Sequence, residues 1–208
     1  MPASIIETYR AMAYNNAWSN HRLLTACARL SQEEFEAMRT GFFPSIQQTL
    51  NHILIVDWFY VDGLEGGWLG PKAWANRVPC ATVADLMREQ SKVDGRLLAV
   101  CNALTAESLS GYVRINRDTR VQTDRRDRLL LHLFQHQIHH RGQAHAMLEA
   151  PASSRRSLTS STRQPRLPCA PPSSPRSAGR KRPSGETKEP ADGAPQGAYV
   201  TTFRYFST

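Results

Sequence analysis

The stretch from Pro44 to Leu64 constrains the fold more than any other part of the chain. Ile46, Leu50, Ile53–Val56, Trp58, Phe59 and Val61 fall on nearly every side of a helix. A helix that is apolar all round cannot lie on a surface and must be enclosed by other elements. Pro44 suits its first turn, and Gly63, Gly66, Gly67 and Gly70 end it. Unbroken apolar runs such as Ile53–Val56 are far too short to span a bilayer, so no membrane partner is expected.

Three further segments have helical periodicity and can supply the enclosure. Residues 5–30 place Leu23, Leu24, Cys27 and Leu30 on one face. Ser31 followed by Glu34 is a capping box, which predicts a short helical turn after that segment. Residues 65–80 read as an irregular loop. Residues 82–104 form the next helix, with Thr82 and Asp85 as its cap and Leu86, Val93 and Leu97 on its apolar face. Tyr112–Ile115 and Val121–Thr123 flank Asn116, Arg117 and Asp118 as a short hairpin. Residues 124–149 form the last helix, with no proline, only Gly142 as an interruption, and apolar residues over most of its circumference. The expected fold is therefore all-α, a four-helix bundle.

At Pro151 the composition changes. The last 58 residues hold nine of the 13 prolines and ten serines, with few aliphatic residues. Such a segment buries too little apolar surface to offset its ordering entropy, so a disordered C-terminal tail is expected over 151–208. Its Arg/Pro/Ser/Ala mixture also resembles a GC-rich gene translated out of frame. The net charge of +8 belongs mostly to this tail. Residues 1–150 carry 16 Lys and Arg against 15 Asp and Glu. They give no electrostatic reason to expect nucleic-acid binding, and a basic tail that contacts nucleic acid or another acidic partner is a weaker, third reading. Cys27, Cys80, Cys101 and Cys169 form no CxxC motif or disulfide framework, and the N-terminus has no signal-peptide pattern. A cytoplasmic location is expected.

Seven histidines occur, and four of them (His132, His136, His139 and His140) fall within nine residues. On a helix, His132, His136 and His140 form one stripe, with His139 at its edge. Imidazoles four residues apart can share one Zn, Ni or Fe ion, which needs at least a third ligand to be held well. His52, in the middle of the enclosed helix, needs a partner and could supply that ligand. A solitary mid-helix histidine is also commonly a hydrogen-bonded core residue, so the pattern leaves both readings open.

The run HQIHHRGQ at residues 136–143 closely resembles the HxxHHRGQ signature of the DinB/YfiT-like superfamily. Tyr14–Asn20 with Arg22, Leu23 and Leu24 resembles the family's first helix. Leu50–Ile53 with Asp57 and Trp58 resembles its second. The matches span about residues 5–149 in the family's order. The resemblance implies a four-helix bundle, often a homodimer, that binds a divalent metal ion (Zn, Ni or Fe) through His52, His136 and His140. His139 then hydrogen-bonds or packs beside the site, Arg141 and Gln143 pair with nearby carboxylate or backbone groups, and Gly142 permits close helix packing. The tail after Ala150 departs from the family's pattern.

Three neutral ligands leave coordination positions open, as catalytic sites do. Some relatives use a low-molecular-weight thiol such as mycothiol or bacillithiol. The resemblance therefore implies a metal-assisted thiol S-transferase or isomerase acting on a small-molecule or thiol substrate, associated with damage-inducible or stress responses. The alternative is a non-enzymatic stress protein whose ion is structural. Catalytic residues are not identifiable. Asp57 lies five residues after His52, roughly 140° round the helix at ~100° per residue, off the His52 face. Trp18, Phe59, Trp68 and Trp74 are candidates to line a pocket.

Overall fold

The computed structural model describes residues 4–149. The disordered tail expected over 151–208, and its suggested out-of-frame origin, lie outside the described residues. Helix α1 (Ile5–Cys27) starts on Ser4, whose hydroxyl accepts from the Glu7 backbone N–H while the Glu7 carboxylate accepts from the Ser4 N–H. The Ser31–Glu34 capping box forms as expected and starts α2 (Gln32–Glu36).

The enclosed helix is α3 (Ile46–Leu64), capped by Ser45. Pro44 lies just outside it instead of in its first turn, and its carbonyl accepts from the Arg39 N–H at 2.8 Å. Leu54, Val56, Phe59, Tyr60 and Val61 are each no more than 1% exposed, on different sides of the helix. Each such large apolar side chain contributes roughly 1.5–3 kcal/mol by leaving water. Asn51 is also buried on α3, and its amide exchanges two 2.9 Å hydrogen bonds with the Cys80 backbone, which ties the following loop to the helix. Within that loop Gly70–Trp74 form a 3-10 turn. Gly70 has φ 56°, and a Cβ there would meet the Asn116 side chain at 2.6 Å, so both backbone angle and space require glycine.

Helix α4 (Val83–Asn102) is capped by Thr82, as its sequence predicts. A further short helix, α5 (Ala106–Ser110), starts on Thr105 and was not expected from the sequence. The hairpin forms from β1 (Tyr112–Asn116) and β2 (Val121–Arg125), antiparallel, with Tyr112 opposite Arg125 and Asn116 opposite Val121. Asp118 at its tip has φ 65°, a conformation that Asp tolerates better than most residues. Helix α6 (Arg126–Glu149) begins two residues later than its composition suggests, because Asp124 and Arg125 pair in β2.

The four long helices are neighbours in the cyclic order α1, α4, α3, α6. This is the expected bundle, and the hairpin packs against α3 and α6 at one end. Helix α6 differs from expectation in which residues it hides. Leu131 and Ile138 are exposed, while Gln137 and Arg141 are buried.

Candidate metal centre

Antiparallel packing of α3 on α6 brings His52 opposite His136 and His140. Their ring centroids are 4.9 Å and 4.6 Å from His52, and 4.4 Å from each other. The Nε2 atoms of His52 and His136 are 3.0 Å apart. One ligand nitrogen from each of the three rings falls within a 4.8 Å set, a group that could hold one metal ion. Metal–nitrogen bonds of ~2.1 Å place ligand atoms about 3–3.5 Å apart, which the closest pair already meets.

The electrostatics suit a cation. Burial, with the nearby His140 adding to it, pushes the pKa of His52 down to about 3. Burial and the surrounding imidazoles push His136 down to about 2. His140 is also lowered, chiefly by burial, though Gln143 opposes this. All three rings are therefore neutral near pH 7 and have a lone pair to donate. His140 is further oriented: its Nδ1 lies 2.8 Å from Gln143 Oε1, while Gln143 Nε2 lies 3.1 Å from His139 Nε2. With the Gln143 amide group donating to His139, its oxygen accepts from His140 Nδ1–H, which directs the His140 Nε2 lone pair into the site. Phe43, from the loop before α3, covers the His52 ring at 4.5 Å and the His140 ring at 5.7 Å.

The other expected residues fall into place unevenly. His139 packs on His140 at 4.8 Å and is otherwise exposed, consistent with a role beside the site. His132 stands one turn before His136, with its ring 6.3 Å away. Gln143 pairs with imidazoles, not with the carboxylate or backbone groups expected. Gly142 is exposed, and a Cβ there would meet nothing within 4 Å, so it serves no close packing. Trp18 is 61% exposed against His21 and Trp68 is 54% exposed. Of the four candidate pocket aromatics, Phe59 is buried and packs at 4.7 Å against the half-buried Trp74.

Sequence reasoning missed a buried polar network beside the site. Arg141 Nη1 donates to Asn16 Oδ1, to Asn20 Oδ1 at 3.0 Å and to Gln137 Oε1 at 2.9 Å. Asn20 Nδ2 donates to Asp94 at 2.9 Å, and Gln90 Nε2 bridges Asp94 at 3.1 Å and Asp57 at 2.7 Å. Arg141 thus reaches the carboxylates through amides and does not pair with them directly. Burial holds Asp57 well above the usual carboxylate range and raises Asp94 to about 6. Asp57 belongs to this network and not to the histidine site, as its helical phase implies. The available signal was Asn16 and Asn20, four apart on one helix, together with an Asp and an Arg inside apolar helices.

The sequence model of the DinB family matches residues 4–150. No curated protein matches the chain in sequence. Among solved structures, the chain is similar in fold to a DinB-like protein from Bacillus cereus, with a TM-score of 0.54 and 16% identity, covering 68% of this chain and 89% of that one.

Proposed function

The chain belongs to the DinB family, and from that premise we propose that it binds one divalent metal ion (Zn, Ni or Fe) through His52, His136 and His140. We further propose that the site serves a small-molecule reaction, as a metal-assisted low-molecular-weight-thiol S-transferase or isomerase. The observation that supports this best is the convergence of three neutral imidazoles from two helices, one of them oriented by Gln143. A divalent ion there would lower the pKa of a bound water or thiol. The protein's own contribution is to hold the rings, keep them unprotonated by burial, and exclude water with Phe43.

A second reading, a non-enzymatic stress protein with a structural ion, draws on the same Phe43 ring, which covers two of the three imidazoles. Thiol binding that shifts the spectrum of the Co2+-loaded protein favours the enzyme, and an unresponsive spectrum favours the structural ion. The same proposal places the protein in the cytoplasm, in a damage or stress response, and as a homodimer, which sedimentation analysis tests. No helix among the described residues is long and apolar enough to cross a membrane. The deciding experiment is elemental analysis of the purified protein beside His136→Ala. The proposal expects about one ion per chain in the first and little in the second, and equal metal in both would refute it.

A further inference from the structure

We propose that Arg117, at the hairpin turn, is a carboxylate-binding subsite for the substrate of the metal centre, an inference that rests on the metal reading above. The Arg117 guanidinium is part-buried and fixed from three directions. Its Nη2 donates to Tyr60 Oη at 3.0 Å, its Nε donates to Gln122 Oε1 at 2.7 Å, and its Cζ lies 4.5 Å above the Phe59 ring. Yet no described carboxylate comes within 4.0 Å of it. Asp124 lies beyond Gln122, which it meets at 3.5 Å, and is engaged by the Arg125 backbone at 2.8 Å and by Arg128 at 3.9 Å. A guanidinium held by two neutral acceptors keeps its charge available to an anionic ligand. Two of its five N–H groups have described partners, and the rest of the planar fork fits a carboxylate bidentately.

The position of Arg117 connects it to the metal centre. Phe59 follows His52 by seven residues, so it lies within about 20° of the same face of α3 and about 10 Å along it. Arg117, above Phe59, therefore stands over the face that carries His52. On α6, His132 occupies the interval, with its ring 5.2 Å from Tyr60 and 6.3 Å from His136. Its Nε2 is buried with no hydrogen-bond partner among the described residues. A ligand that reaches past His132 to both groups would carry a metal-binding head and a carboxylate about 10 Å away.

Two measurements test this. In metal-free protein, the Arg117 Nε–H resonance is followed during titration with hexanoate, hexanamide and inorganic phosphate. Hexanoate alone is expected to shift it. No shift, or an equal shift with phosphate, overturns the carboxylate assignment. In Co2+-loaded protein, binding of 6-mercaptohexanoate and of 6-mercaptohexanamide is read from the metal absorption band. The acid is expected to bind roughly tenfold tighter or more, as a charged hydrogen bond does. Arg117→Gln removes that preference, and Arg117→Lys keeps part of it. Unchanged thermal midpoints show that both variants fold. Equal affinities in the parent protein, or a preference that survives Arg117→Gln, overturn the proposal. A chain that takes up no Co2+ refutes the metal reading instead, and the hexanoate titration still decides the role of Arg117.

Discussion

His52 Nε2 and His136 Nε2 face each other at 3.0 Å although 84 residues separate them in the chain. Both nitrogens belong to rings that burial keeps neutral. Without a cation, one ring can donate its N–H to the other's lone pair; a shared cation would instead take the lone pairs of both, and His140 would add a third.

Metal should therefore stabilise the fold. At free Zn2+ a hundred times its dissociation constant, unfolding by urea is expected to cost about 2.7 kcal/mol more than in EDTA. His136→Ala should lose that difference. A parent protein whose unfolding midpoint ignores Zn2+ would contradict the site.

Gln143 orients His140 without being a ligand. Gln143→Leu removes the acceptor for Nδ1–H and is expected to weaken metal affinity ~10–100-fold, the usual effect of losing such a partner. The fold should be intact by circular dichroism. Competition with a chromophoric chelator measures the change, and unaltered affinity would show that the hydrogen bond has no orienting role.

Arg141 should matter for stability. Arg141→Leu leaves the side-chain oxygens of Asn16, Asn20 and Gln137 without their donor and removes the positive charge near Asp57 and Asp94. Breaking such a buried charge network costs about 3–5 kcal/mol. Urea unfolding of this variant tests it, and a loss below about 1 kcal/mol would mean that the network is dispensable.

Asp94 predicts a pH dependence. Its folded pKa, raised chiefly by burial, is about 6, against an ordinary value of 3.8. Between these values the folded protein keeps a proton that the unfolded chain releases, so stability falls as pH rises. The slope reaches at most about 1.4 kcal/mol per pH unit. Asp94→Asn does not titrate. The stability of the parent protein relative to this variant should fall from pH 4 to pH 6 and level off above. A constant difference across that range would show that Asp94 is ionised throughout.

Gly142 lies mid-helix, and an added Cβ meets nothing within 4 Å. Gly142→Ala should stabilise the protein by roughly 0.4–1 kcal/mol by restricting the unfolded chain. Thermal unfolding measures it. Destabilisation would contradict the open space around this position.

The sequence alone determined the four long helices and the short α2, because periodicity and capping are local. Ser31 with Glu34 and Thr82 with Asp85 start helices where the residues say they should. The all-round apolar face of α3 also required enclosure. The HxxHHRGQ run picked out His136 and His140, and its upstream partner picked out His52. Only the tertiary structure decided which side of α6 faces inward. Apolar residues cover most of its circumference, yet Leu131 and Ile138 are exposed while Gln137 and Arg141 are buried. The reason is that Arg141 bonds to Asn16 and Asn20 on α1 and to Gln137 on its own helix, while Asn20 and Gln90 carry the network on to Asp94 and Asp57, and no local pattern encodes a network assembled from four separate segments. The same holds for the three histidines: spacing put two on one stripe, but only the antiparallel packing of α3 on α6 brings the third ring within reach of them.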